Sequence, residues 1–282
     1  MILSKKVFAI KQKRKDIYDE GNEYDCFPEF CYNASRHVEV FRTFKRNPIF
    51  RAVVYYRDQN VGLRCLEYIL NNPAIKFSAE DLAFLLKNDS VGDPRTVRYY
   101  LEGSGGGHIE CSPTNLTYLA ILVNIVELFD VDKIKTVAEI GVGCGDQCRI
   151  LMSTLPLECY KLVDLPEVLA LSEKFLNALD VTGDIRYIDG TQLYHDEPCD
   201  LVICNQSIVE FDKKNQVHYI EKILSKSKAG YVNWDAHIFR EPQRYHGYSL
   251  EEFAAMIPNS KIIPEYPVTN YPDNQIIVWG TK

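Results

Sequence analysis

Short runs rich in β-branched and aromatic residues punctuate the second half of the chain, and most are followed by a stretch long enough for a helix. Thr136–Ile140, Cys159–Asp164, about 184–189, Cys199–Cys204 and Gly230–Trp234 predict five strands, the first four each leading into a helix. Such repeats imply a parallel sheet with right-handed crossovers. Pro166 stands where the helix after the second strand begins, a position at which its missing N–H costs nothing. Ser249, with Glu252 three residues on, predicts a capping box at the start of a short helix. The end breaks the alternation. Segments 260–266 and 274–280 are joined by a turn-rich stretch with no room for a helix, so they predict a terminal hairpin whose last strand runs antiparallel.

The first 130 residues carry helical rather than strand periodicity. Asn60–Leu70 and Ser78–Leu86 predict helices, the second opened by Ser78 as N-cap with Asp81 in its first turn. Cys111–Leu116 opens a long helix reaching about Phe129. Near the start, Lys5, Lys6, Lys11, Lys13, Arg14 and Lys15 alternate with Val7, Ile10 and Ile17, compatible with a solvated helix face or an amphipathic helix on a surface or partner. Glycine- and aspartate-rich stretches at 88–94 and 103–107 flank Arg95, Arg98, Tyr99 and Tyr100, with His108 alongside. They read as a surface linker or as a mobile acceptor-binding loop. The chain therefore divides into a mostly helical acceptor-binding or lid region, 1–130, and an α/β domain, 131–282, with Arg95, Arg98, Tyr99 and His108 as candidate substrate contacts.

Composition narrows the functional classes. The 282 residues are 46% hydrophobic with a formal net charge of −7, enough for a large core and without the basic face that nucleic acid requires. No apolar run approaches the ~20 residues of a membrane span, and the amino terminus lacks the apolar core and small-residue cleavage site of a signal peptide. A cytoplasmic protein is expected. Nine scattered cysteines lack paired CxxC spacing, so they predict reduced structural thiols, and no spacing marks a metal site.

The glycine turn after the first strand is the strongest chemical signal. In Glu139-Ile-Gly-Val-Gly-Cys-Gly-Asp146, Gly141, Gly143 and Gly145 can take φ > 0 and let a ligand approach the backbone at the carboxyl end of a strand. The dinucleotide fingerprint requires a third glycine where Asp146 stands. The pattern instead resembles motif I of the class I S-adenosylmethionine (SAM) methyltransferases, in which the acidic residue before the first glycine, here Glu139, lies near the methionine end of the cofactor. Ligands of open parallel sheets bind beyond the carboxyl ends of the strands. Asp164 with Leu165 ends the second strand and suits the ribose hydroxyls, Asp189 with Gly190 ends the third and suits the adenine, and Asn205 ends the fourth and faces the methionine part. Each is also compatible with a helix cap or turn.

The resemblance sharpens over roughly residues 85 to 240. Val137–Gly145, Leu162–Val168, Asp200–Asn205 with Glu210, and Gly230–Asp235, together with Asn88–Pro94 and Ser112–Leu116, are similar to the sugar O-methyltransferase family. Two positions depart from it: Cys144 stands where an aromatic is common, and Asp235 where an asparagine is usual. The resemblance implies a Rossmann-like class I methyltransferase fold with a seven-stranded, mostly parallel sheet. It further implies SAM as cofactor, S-adenosylhomocysteine as product, and a sugar, nucleotide-sugar or glycan acceptor, often in surface-polysaccharide biosynthesis. Methylation of another small acceptor at oxygen or nitrogen, SAM binding without catalysis, and assembly into a homo-oligomer stay open. Methyl transfer to a hydroxyl calls for alignment and a proton acceptor. Glu210, Asp235 and His237 are the candidates, His237 by its imidazole and Glu210 by its match to the family's acidic position; His108 is the reserve.

Overall fold

A computed structural model describes residues 23–100, 108–235, 246–269 and 271–282. The basic run near the amino terminus lies outside these residues. The amino-terminal layer begins with α1 (Glu23–Arg36), α2 (Val38–Phe41) and α3 (Pro48–Val53). It continues through α4 (Gln59–Asn71), α5 (Ala79–Leu85) and a two-stranded antiparallel hairpin, β1 (Val97–Tyr100) with β2 (His108–Cys111). The stretch read as a linker or loop is thus partly a strand pair. Helix starts follow local chemistry. Asp58 accepts from the Asn60 and Val61 amides at 2.8 and 2.9 Å, and Ser78, the predicted N-cap, forms a full capping box with Asp81. Helix α4 buries Val61, Cys65, Leu66 and Ile69, one face at helical spacing.

Helix α6 (Pro113–Leu128) is capped by Ser112 and is buried almost all round its first three turns, because it lies between that layer and the sheet. The α/β part then runs β3 (Thr136–Ile140), α7 (Asp146–Thr154), β4 (Cys159–Asp164), α8 (Pro166–Ala178), β5 (Asp184–Asp189), β6 (Cys199–Asn205), α9 (Lys213–Lys222), β7 (Ser227–Trp234), α10 (Leu250–Ala255), β8 (Lys261–Pro264) and β9 (Gln275–Trp279). Seven strands form one sheet in the order β5-β4-β3-β6-β7-β9-β8. Strands β3 to β7 are parallel, and β9 is antiparallel to both of its neighbours. This is the expected Rossmann-like arrangement of seven mostly parallel strands, terminal hairpin included.

Both faces of the sheet are covered. In β3 and β6, Val137, Leu201 and Ile203 join one core, while Ala138, Ile140, Val202 and Cys204 join the other. Burial on both faces explains why these strands are continuous apolar runs. The first core also holds Phe30, Phe44 and Phe50 from the amino-terminal layer with Leu171, Phe175 and Leu176 of α8, so the two regions share packing. All nine cysteines are free, and no described helix is long and apolar enough to cross a membrane.

Candidate functional site

The chain runs from β3 outward through β4 to β5 and returns to β6 on the other side of β3, which opens a crevice beyond the strand ends. A cavity of about 490 Å³ occupies it. Its floor is the turn after β3. Gly141 and Gly143 have φ of 75° and 56°, the left-handed region that side chains avoid. A Cβ on Gly141 would collide with Ser207, whose hydroxyl is tied to the Ile140 carbonyl at 2.7 Å. The Gly143 carbonyl accepts from Ser172 at 3.0 Å. The turn is therefore fixed from β6 on one side and from α8 on the other. Gly145 sits outside the lining, as the residue that caps α7 and packs on Leu176.

Three polar side chains from successive strand ends meet the turn. Asp164 accepts from the Val142 and Leu165 amides, each at 2.7 Å. Burial raises its carboxyl to about 6, against the pull of those amides and that of Gly143. The carboxylate keeps acceptor capacity for a ligand hydroxyl. Glu139 is buried, accepts from the Tyr160 hydroxyl at 2.8 Å, and is pushed by burial to about 8. Asn205 lines the same cavity, and both its amide atoms are buried without a hydrogen-bond partner. Leu165 lines the cavity too. Asp189 does not: its carboxylate accepts from the Thr191 amide and hydroxyl at 2.9 and 2.6 Å, a turn role. Gly190 also lies outside the lining, and its missing side chain makes room for Tyr219, whose hydroxyl donates to the Gly190 carbonyl at 3.1 Å.

The other end of the cavity, beyond β6 and β7, carries Glu210 and Asp235. His237 lies outside the described residues. Facing these carboxylates is a segment the sequence reading passed over. Tyr56 and Arg57, between α3 and α4, both donate to the side-chain oxygen of Gln206, at 2.5 and 2.7 Å, and the Arg57 guanidinium lies 4.1 Å from the Tyr56 ring centre. Glu210, Asp235 and Glu265 all act electrostatically on the Tyr56 hydroxyl. Arg95, Arg98, Tyr99 and His108 are not brought here. None of them lines the cavity. Arg98 is an exposed partner of Glu110 at 2.7 Å, and Tyr99 is buried against Gly62. Arg98 and Tyr99 lie on β1 and His108 on β2, and their pairing holds them outside the cavity lining.

One further interaction decides what kind of ligand fits. Asp146, the first residue of α7, is fully buried and bound by Lys45 at 2.9 Å, by the Tyr55 hydroxyl at 3.0 Å and by the Cys144 thiol at 2.9 Å. Lys45 is itself fully buried, also donates to the Asn88 carbonyl at 2.8 Å, and sits over the Phe175 and Tyr55 rings. A pyrophosphate bound by a dinucleotide fold sits on the helix amino terminus at this place. Here the first helical residue is an aspartate whose carboxylate is turned to Lys45, Tyr55 and Cys144, and the third glycine of the dinucleotide pattern is missing. The site suits an adenosine-like ligand with free ribose hydroxyls and no phosphate. The Asp164 carboxylate at the glycine turn and the orphaned amide of Asn205 are groups that fit SAM. Cys144, where an aromatic is common in the resembling family, serves here as a donor to Asp146.

No protein-family model matches the chain, and no curated protein matches it in sequence. Among solved structures it is similar in fold to an O-methyltransferase family protein from Burkholderia thailandensis, at 12% identity and a TM-score of 0.41, over 58% of each chain. It is also similar to an S-adenosylmethionine-dependent methyltransferase from Clostridium acetobutylicum, at 12% identity and a TM-score of 0.44, over 56% of this chain and 88% of that one. A third is the M. capricolum TrmK, in complex with S-adenosylhomocysteine, at 12% identity and a TM-score of 0.38, over 52% and 62%. The aligned part spans 58% of the length of the Burkholderia protein and 56% of that of the pyocyanin biosynthetic protein PhzM. TM-scores below 0.5 assign neither acceptor nor reaction to this chain.

Proposed function

We propose that the chain is a SAM-dependent methyltransferase that acts on a hydroxyl of a sugar, nucleotide sugar or glycan precursor. The observation that carries the reading is the Asp164 carboxylate set against the left-handed glycine turn, in a cavity beyond the carboxyl ends of the parallel strands. When bound, SAM supplies an activated methyl group. Asp164 accepts the ribose hydroxyls, Leu165 packs beside it, and Glu139 and Asn205 receive the charged methionine end. The sugar acceptor is supported by the opposite end of the cavity, where Tyr56, Gln206, Asn233, Glu210 and Asp235 present hydrogen-bonding groups beside the Tyr56 and Tyr271 rings. A carboxylate there takes the hydroxyl proton as the bond to carbon forms, and His237 is the alternative base. General-base assistance of this kind contributes about 10²–10⁴-fold to rate.

Two measurements test the reading. S-adenosylhomocysteine should bind the purified protein in calorimetric titration, and Asp164→Ala should weaken it by about 1.5–3 kcal/mol, the scale of hydrogen bonds to a charged group. Wild-type affinity in that variant removes Asp164 from the site. Turnover is then followed with a panel of nucleotide sugars and glycans beside small amines. Methylation of amines alone would keep the cofactor and overturn the sugar.

A further inference from the structure

Arg57 is the only cationic side chain among the described residues that line the cavity. One of its terminal nitrogens donates to Gln206, but the other, Nη1, is buried without a hydrogen-bond partner. Among the described residues no carboxylate lies within ion-pair distance of it, although Glu210 and Asp235 line the same cavity. An unpaired buried guanidinium N–H costs about 1–3 kcal/mol or more, and persists where a ligand completes it.

Its position is built rather than incidental. The guanidinium is held between the Tyr56 ring and the Gln206 side chain. Gln206 delivers that side chain from a left-handed backbone, φ 67°, pinned by its amide to the Asn233 carbonyl at 3.1 Å. The preceding residue, Asn205, presents a second orphaned pair, one amide donor and one amide acceptor. Together the three atoms offer two donors, one of them cationic, and one acceptor. That set is the complement of an α-amino acid. A carboxylate takes the Arg57 and Asn205 donors, and an ammonium group gives to the Asn205 oxygen.

We propose that Arg57 and Asn205 form an α-amino-acid subsite that holds the methionine end of the cofactor, with the cation supplied by the segment between α3 and α4. This rests on the SAM reading above. Cofactor and acceptor could both bring a carboxylate, and the one held here is that of the cofactor.

The test uses the full chain and two probes, S-adenosylhomocysteine and 5′-methylthioadenosine, which keeps the nucleoside and lacks the amino-acid end. The wild type should bind the first more tightly than the second. Arg57→Ala should weaken S-adenosylhomocysteine by about tenfold or more, the scale of a charge-assisted contact, and leave methylthioadenosine unchanged. Retained methylthioadenosine binding also shows that the variant is folded, and Arg57→Lys should recover part of the loss. Equal losses for both probes, or no loss for either, would overturn the inference. Unchanged S-adenosylhomocysteine binding with a raised acceptor KM would overturn it by placing the carboxylate on the acceptor. If neither probe binds the wild type, the SAM reading itself fails.

Discussion

The two ends of the cavity are built differently. At the β3–β4 end, the ligand-facing groups are a glycine turn and a carboxylate bonded to that same turn, about two dozen residues apart, with the backbone doing most of the work. At the β6–β7 end, Glu210, Asp235, Gln206 and Asn233 meet Tyr56 and Arg57 across 149 residues of sequence in the case of Arg57 and Gln206, and side chains do the work. A backbone-made site binds a constant group and resists change. A side-chain-made site can be rewritten by single substitutions, which suits the part that, beside the Arg57 contact to the cofactor, chooses the acceptor and carries the proton chemistry.

The largest expected effect separates the ends by function. Whichever of Glu210, Asp235 and His237 is the base, its neutral amide variant (Glu210→Gln, Asp235→Asn, His237→Gln) should lower kcat by about two to four orders of magnitude. Affinity for S-adenosylhomocysteine should stay near wild type. A variant that loses both would show that the two ends are not separable.

Next is the contact that ties the amino-terminal layer to the turn. Lys45→Met leaves buried Asp146 without its cation, and loss of one partner of a buried pair costs about 3–5 kcal/mol. Denaturant unfolding reads it directly. A change below about 1 kcal/mol would mean that Tyr55 and Cys144 hold Asp146 unaided.

A pH effect on stability is expected at the backbone-made end. Glu139 is raised from its ordinary 4.5 to about 8 by burial, so its contribution to folding is fully present below about 4.5 and is lost as pH rises through about 8. The melting temperature of the free protein should therefore fall between pH 5 and pH 8.5 relative to that of Glu139→Gln. The cationic cofactor favours the ionised form, so binding near pH 7 should release protons, seen as heats that differ between buffers. Equal slopes in the two proteins would sink the assignment.

The smallest effect marks the edge of the site. Arg98→Ala removes an exposed partner of Glu110 on a hairpin outside the cavity, and acceptor KM should not change. A raised KM would draw the hairpin into acceptor binding after all.

What the sequence settled by itself were features that neighbouring residues control. Short apolar, β-branched runs placed β3 to β7, Ser78 as an N-cap and Ser249 with Glu252 as a capping box opened their helices, and the glycines after β3 announced positive φ. Each depends on conformational preferences within a few residues, so local chemistry is enough to read them. The tertiary structure alone decided which distant groups complete the site. Nothing around residue 57 marks Arg57 as a cavity residue, nothing around Lys45 marks it as the partner of an aspartate 101 positions away, and Arg95 to Tyr100 look like a flexible ligand loop until β1 pairs with β2. These outcomes follow from how layers pack and which polar groups are then left without water, and that is a property of the whole fold.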